Sequence, residues 1–298
     1  MLKAPSGATI VGAAGFIGSA LSQAFDATGR SAVQVGRHDR LAEGTLLWDQ
    51  VVASSTVFWC ASSINPQIAA EHPERIDRDR TEFSGFLDRL MASGSQARVV
   101  LLSSGGTVYG DASTPPFTER SPTVPTSAYG VAKLSIEREL LERTGRGLVV
   151  RVSNAYGPGQ YPAPGQGVIG HWLRALRDGR EIVVYGGPEI LRDYLYIDDL
   201  TEFLLAVHDS RGDLPPVLNV GSGEATSLST VLAAVGTVSD RHELSVVRHP
   251  ARPFDLRESW LDVSLAGTVL GWRPRTAVEP GVTAMWRWLA GARAGQRT

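Results

Sequence analysis

The amino-acid sequence predicts an α/β protein: a doubly wound parallel sheet over about the first half, followed by a smaller lobe. Three observations carry this expectation. Short apolar runs alternate with longer amphipathic ones between residues 8 and 152, as parallel strands and their crossover helices do. Glycines at 12, 15 and 18 separate the first apolar run from the first helical one. Beyond Asn154 the texture changes to segments punctuated by Gly and Pro (Gly157-Pro158-Gly159, Pro162, Pro164, Gly165) with shorter helices.

Taken in order, Ala8–Val11 reads as a short buried strand, Gly12–Gly18 as a turn, and the next residues as a helix to about Thr28. Ser31–Val35 is a second strand, Thr45–Trp48 a third and Thr56–Ala61 a fourth. One long helix is expected over Ile68–Ala92, with the mixed-charge run Arg75–Arg80 on its solvated surface. Arg98–Leu102 is a fifth strand, Ser127–Glu142 a helix and Leu148–Val152 a sixth strand. The connection Asp49–Ser55 is too short for a helix of its own. Residues 1–153 are expected to form one domain, with a return segment near 190–220, and residues 154–298 mainly the second lobe. No internal repeat is present.

Composition bounds the function classes. A chain of 298 residues can bury a core in two lobes. Its net charge of -2 gives no footprint for nucleic acid or an anionic membrane. The stretch from Lys3 through Ala8–Phe25 has the polarity of a signal peptide, but its three glycines fit a different use. No other run approaches the ~18 apolar residues of a membrane span. A cytoplasmic protein is therefore expected. One cysteine, Cys60, forbids an internal disulfide or thiolate cluster. The histidines show no ligand spacing, so no metal is expected.

Gly12, Gly15 and Gly18 lie between a strand and a helix, the context a dinucleotide site requires. The first permits a tight turn, the second lets backbone approach a pyrophosphate, and the third allows close helix–strand packing. The helix N-terminus then offers free N–H groups to the phosphates. This makes the first domain Rossmann-type. Where an NAD site places an acid on the adenosine ribose, the second strand ends Val35-Gly36-Arg37-His38. Arg37 suits a 2′-phosphate, and a charged hydrogen bond is worth roughly 1.5–3 kcal/mol. NADP(H) is therefore favoured, with NAD(H) as the alternative. Asp49 is an adenine contact or a turn residue.

Only two lysines stand against 27 arginines. One is Lys133, four residues after Tyr129, a spacing that puts both on one helix face. A free phenol, with a pKa near ~10, is a poor acid-base catalyst at neutral pH. A nearby ammonium favours its ionised form. Such a pair can pass a proton to or from a sugar hydroxyl or ketone.

With Gly12–Gly18, Ser103-Ser104-Gly105-Gly106-Thr107-Val108-Tyr109-Gly110 and Tyr129…Lys133 in order, the chain resembles the extended short-chain dehydrogenase/reductases. Further motifs extend the likeness over nearly the whole chain: Arg151–Gly159, Arg192–Leu200, Asn219–Gly223, Arg252-Pro253-Phe254-Asp255 and Gly271–Pro274. The resemblance points to enzymes acting on nucleotide-diphosphate sugars: 4-epimerases, 4,6-dehydratases and 4-ketoreductases. It implies that Tyr129 is the acid/base and Lys133 its partner. Phe16, Ile17, Ala61, Ser62, Ser103 and Val152 would join the glycines, Arg37, Asp49, Tyr129 and Lys133 around the cofactor. Asn154 and Val168 would contact the substrate, Arg192 and Arg252 its diphosphate, and Asp255 its ribose. Asp198 reads as a helix cap. The resemblance also implies a homodimer paired through the Ser127–Glu142 and Ile68–Ala92 helices.

The departures from the family pattern are informative. Gly105 stands where the family has Ser or Thr, so Thr107 or Ser104 must supply that hydroxyl, and Thr107 is favoured. Where the long helix often carries an Asn, Thr81 or a neighbour stands. The dehydratase Asp-Glu pair is replaced by Gly106-Thr107, which cannot move those protons, and dehydration is set aside. Two reactions remain: NADP(H)-dependent reduction of the C4 ketone of a nucleotide-linked 4-keto-6-deoxyhexose, and NAD-dependent 4-epimerisation. A non-catalytic nucleotide-binding regulator would have no need of Tyr129 and Lys133.

Overall fold

The computed structural model describes residues 7–111, 113–238, 244–252 and 256–294. Its first half runs β1 (Ala8–Val11), α1 (Phe16–Ala27), β2 (Ala32–Val35), α2 (Leu46–Val52), β3 (Thr56–Trp59), α3 (Pro66–Glu71), α4 (Glu74–Ala92), β4 (Arg98–Ser104), α5 (Ala128–Arg143) and β5 (Gly147–Val152). The second half runs β6 (Asn154–Tyr156), α6 (Val168–Asp178), β7 (Ile182–Tyr185), β8 (Leu191–Arg192), β9 (Tyr194–Tyr196), α7 (Ile197–Asp209), β10 (Val217–Val220), β11 (Thr226–Ser227), α8 (Leu228–Thr237), β12 (Val246–His249), β13 (Glu258–Ser259), α9 (Ser264–Leu270) and α10 (Val278–Ala294).

Six parallel strands form the central sheet in the order β10-β5-β4-β3-β1-β2. The alternation of side chains divides its core into two layers. Ile10, Phe58, Val100 and Val150 face α1 and α7, and their cluster continues into α6, α8 and α10. Val11, Val57, Val99 and Val149 face the other way, toward α2, α4 and α5. This is the doubly wound fold, with β10 returning from the second half to the sheet edge beside β5. The remaining strands form small sheets: β6 with β9, β7 with β12, and β8 between β11 and β13. Among the described residues no helix is long and apolar enough to cross a membrane.

Four local expectations are corrected. Thr45–Trp48 is not a strand: the Thr45 hydroxyl accepts the Trp48 N–H at 3.2 Å and caps α2, which buries Trp48 and Val51 at helical spacing. The segment Asp49–Ser55, read as too short for a helix, holds most of α2. The long helix is two, because Pro73 has no N–H to continue the ladder and α3 ends before it. Asp198 does not cap α7; the helix begins at Ile197 after Tyr196, and no side chain caps it.

Candidate active site

The turn after β1 is shaped by close approaches. Gly12 has φ +86°, and a Cβ there would lie 2.7 Å from the Ala61 nitrogen at the end of β3. A Cβ on Gly18 would lie 2.2 Å from the Gly12 carbonyl oxygen. Only glycine lets α1 start against this turn. Gly15 precedes α1 without a side-chain cap, so the first helical N–H groups are available to an anion. Gly15, Phe16 and Ile17 line the wall of a cavity of about 980 Å³ that crosses the C-terminal ends of β3, β4 and β5.

The adenosine end differs from the sequence expectation. No carboxylate was expected after β2, yet Asp39 folds back and accepts the Gly36 N–H at 2.7 Å. Arg37 is exposed beside it. Neither Arg37, Asp49 nor Ala61 lines the cavity; Asp49 sits in the first turn of α2, and Ala61 backs the glycine turn.

The reactive end is built by α5. Ser127 caps the helix, accepting the Gly130 N–H at 3.1 Å. Tyr129 and Lys133 follow on the cavity wall. Lys133 is buried, and its Nζ lies 5.7 Å from the centre of the Tyr129 ring. Gly130 lets the helix seat on the β4 turn, since a Cβ there would lie 2.7 Å from the Thr107 carbonyl oxygen. Thr107 donates its hydroxyl to Ser104 at 2.9 Å, and both line the cavity beside Tyr129. Gly105 does not line it. A Cβ at Gly105 would lie 2.6 Å from Leu261 Cδ1 and 3.1 Å from the Arg151 carbonyl oxygen, within the buried Val108, Tyr109, Phe117 and Leu261 cluster.

Beneath this turn lies a buried charged network. Arg151 pairs with Glu137 at 2.7 Å and donates to the Tyr109 hydroxyl at 3.1 Å, which donates to Asn219 at 2.6 Å. Ser103 also donates to Glu137. Burial works against the Arg151 guanidinium, but its contacts with Glu137 outweigh that and raise its pKa. Ser103 and Val152 reach the cavity from β4 and β5. Ser62, which also lines the cavity, accepts from Lys133 Nζ at 3.3 Å and donates to Asp79 at 2.8 Å. Asp79 is buried, so the Arg75–Arg80 run is not wholly solvated. Thr81 is exposed, and the neighbour that faces the site is Asp79. Its place in the stripe Asp79, Phe83, Phe86, Leu87, Leu90 was the signal available in the sequence.

The second half supplies the far end of the cavity. Asn154 donates its side-chain amide to the Asp193 carbonyl oxygen at 2.9 Å, and Val168 opens α6. Arg192 lines the cavity while donating to the carbonyl oxygens of Leu191 at 2.9 Å and Leu256. Arg252 lies over the Tyr185 ring at 5.2 Å, and both line the cavity. Asp255 lies outside the described residues. Among the described residues no group of three or more His, Cys, Asp or Glu side chains could hold a metal ion. The wall therefore offers a glycine turn and a helix N-terminus for a dinucleotide, and a phenol with an ammonium for proton transfer. Two hydroxyls and two guanidiniums complete it.

Comparison with known proteins gives four further findings. The profile of the NAD dependent epimerase/dehydratase family matches residues 8–221. The dTDP-4-dehydro-6-deoxyglucose reductase of Escherichia coli is 30% identical over 76% of this chain and 72% of its own. The UDP-glucose 4-epimerase of Mycolicibacterium smegmatis is 31% identical over 92% of this chain and 95% of its own. In three dimensions, the UDP-glucose 4-epimerase of Thermotoga maritima, solved with UDP-glucose, superposes with a TM-score of 0.84 at 25% identity, covering 96% of this chain and 99% of that one.

Proposed function

The chain belongs to the NAD dependent epimerase/dehydratase family, and within it we propose that the enzyme carries out hydride transfer at C4 of a nucleotide-diphosphate hexose, reducing the ketone of a 4-keto-6-deoxy sugar. The observation that carries this reading is one shared cavity. It joins the start of α1 at Gly15 and Phe16, the Tyr129 phenol with Lys133, and the Ser104–Thr107 hydroxyl pair.

When bound, the dinucleotide supplies the hydride that reaches the C4 carbon. Tyr129 gives its proton to the C4 oxygen, so that ketone, hydride and proton become an alcohol. The Lys133 ammonium over the ring offsets the negative charge left on the phenol oxygen. Thr107, held by Ser104, presents a hydroxyl to the same oxygen and orients it. Asn154 holds the sugar from β6, and Arg192 and Arg252 hold the diphosphate through forked guanidinium donors. Gly12 and Gly18 let the turn pack against the Ala61 backbone and let α1 start against it, a shape that suits a pyrophosphate at the start of α1. In this reading Arg37 takes a 2′-phosphate and the reductant is NADPH.

A second reading, a 4-epimerase that retains NAD, is favoured by Asp39. Its carboxylate, fixed on the Gly36 N–H, suits a ribose hydroxyl and repels a 2′-phosphate. One experiment separates the two. The purified protein is mixed with NADPH or NADH and a panel of nucleotide-4-ketosugars, and the absorbance of the reduced cofactor is followed. A reductase consumes it stoichiometrically with sugar. An epimerase arrives with bound NAD and interconverts UDP-glucose and UDP-galactose with no net change. Neither outcome in either assay would overturn the proposed chemistry.

A further inference from the structure

Asp79 is a buried carboxylate, 8% exposed, on the inner stripe of α4, and its partners all come from one loop. Ser62 Oγ donates to Oδ2 at 2.8 Å, the Ser63 N–H lies 2.9 Å from both oxygens, and Ser63 Oγ donates to Oδ1 at 2.6 Å. These donors are hydroxyls and an amide rather than a cation. A buried negative charge held only by neutral donors is costly. Arg78, next in the chain, interacts with it electrostatically from the exposed side, and a buried cation lies one residue beyond its donors: Lys133 Nζ, 3.3 Å from the same Ser62 Oγ. A serine hydroxyl has one proton and two lone pairs. With its proton directed to Asp79, Ser62 turns its lone pairs toward the ammonium.

We propose that Asp79 is a positioning residue for the Tyr129–Lys133 pair: through Ser62 it holds the Lys133 ammonium charged and in place above the phenol. The role rests on the reading of Tyr129 and Lys133 as the proton-transfer pair. Other titratable groups near the ammonium do not supply this hold. Tyr129 lies on the same helix and is the group being served. Cys60, at the end of β3, has its thiol pushed up to about 12 by burial against the pull of Lys133, and stays neutral. Glu137, one turn further along α5, is already engaged by Arg151 and Ser103.

The chain's two lysines, Lys3 and Lys133, make the test direct. The 298-residue protein is prepared with lysine carrying 13C at Cε, and the Lys133 signal is assigned with Lys133→Arg. It is then titrated in the parent, Asp79→Asn, Ser62→Ala and the double variant. Each single variant should move the Lys133 midpoint to lower pH by about half a unit or more. The double variant should move it no further than the larger single shift, because both changes cut one chain of contacts. Ser62→Thr, which keeps the hydroxyl, should restore the parent midpoint. If Asp79→Asn does not fold, Ser62→Ala decides alone, since Asp79 keeps its Ser63 donors. A Lys133 midpoint within about 0.2 unit of the parent in Ser62→Ala, or additive shifts in the double variant, overturns the proposal. The readout needs no sugar. A moved midpoint in a protein that turns over no C4 sugar keeps the positioning role and rejects the reaction, whereas turnover with an unmoved midpoint does the reverse.

Discussion

Replacing Gly105 by Ser supplies the hydroxyl that the sequence resemblance leads one to expect at this position, and the structure says it will not help. The new Cβ would lie 2.6 Å from Leu261 Cδ1 and 3.1 Å from the Arg151 carbonyl oxygen, against an optimum of about 3.5–4.0 Å for carbon pairs. Leu261 is 1% exposed and packed by Val108, Tyr109 and Phe117, so it has little room to yield. Overpacking of this kind costs about 1–3 kcal/mol. With an unfolding entropy near 2.1 cal/mol/K per residue and 298 residues, the melting temperature should fall by about 2–5 °C. Leu261→Ala alone should cost about 2–5 kcal/mol through the cavity it leaves. The double variant should lose less than the sum, because the serine side chain occupies part of that cavity. Turnover should not rise in Gly105→Ser, since the new hydroxyl points into the cluster. Thermal melts of the four proteins, with the sugar assay on each, test this. A Gly105→Ser enzyme that melts with the parent and turns over faster would refute the packing argument.

Other outcomes follow from the same geometry. Tyr129→Phe should keep substrate binding while turnover falls about 10²–10⁴-fold, and Thr107→Val should cost only about 0.5–1.5 kcal/mol; near-parental turnover in Tyr129→Phe would remove the phenol from the mechanism. By calorimetry, Arg37→Asp should weaken NADPH relative to NADH, whereas Asp39→Asn should weaken NADH relative to NADPH; an unchanged ratio in both places discrimination elsewhere. Burial holds the His208 imidazole below its ordinary value of 6.5, so the unfolded chain takes up that proton first. The stability it leaves intact above about pH 6.5 is lost as pH falls through that region. His208→Gln should flatten the decline of the urea midpoint between pH 7 and pH 5, and an unchanged slope would assign the loss to other groups. Pairing of two copies through α4 and α5, where Met91 is 46% and Val131 55% exposed, should give a dimer mass by light scattering at micromolar concentration, and a monomer mass would count against it.

What the sequence could disclose depended on how local the cause was. The glycine turn and the Tyr129–Lys133 pair are written in short spacings, and a strand-turn-helix or an i,i+4 face needs no distant residue to be recognised. Thr45–Trp48 was misread because four residues satisfy a strand pattern as well as a capped first helical turn, and the later burial of Val51 decides between them. Asp39 was missed because its role depends on the loop after β2 turning back on Gly36. Asp79 was hidden by the charges on either side of it in the run Arg75–Arg80, although its distance from Phe83 and Phe86 puts it on the inner stripe. The reason for Gly105 was invisible in principle, because Leu261 belongs to a segment that only the folded chain brings there.

Asn219 joins the two halves, while Asp193, with Asn154 and Arg192, ties segments of the second half to one another. Asn219 Oδ1 accepts a hydrogen bond from the Tyr109 hydroxyl, and its amide nitrogen donates to the Phe117 carbonyl oxygen at 2.8 Å. Asp193 accepts the N–H groups of Ser222 at 2.6 Å, Gly223 at 3.2 Å and Leu261 at 3.3 Å. Its carbonyl oxygen holds Asn154. Arg192 spends donors on the backbone of residues 256 and 257. The turn that carries Thr107 is thus braced on one side by α5 through Gly130 and on the other by Leu261 and Asn219. The Thr107 hydroxyl is therefore positioned by residues beyond 190 as much as by its own strand. Such bracing suits a reaction whose rate depends on small displacements of the proton donor. It also accounts for the bare backbone at Gly105: the second half fills that space with Leu261, and in the proposed mechanism the Ser104–Thr107 pair supplies the hydroxyl from the neighbouring positions.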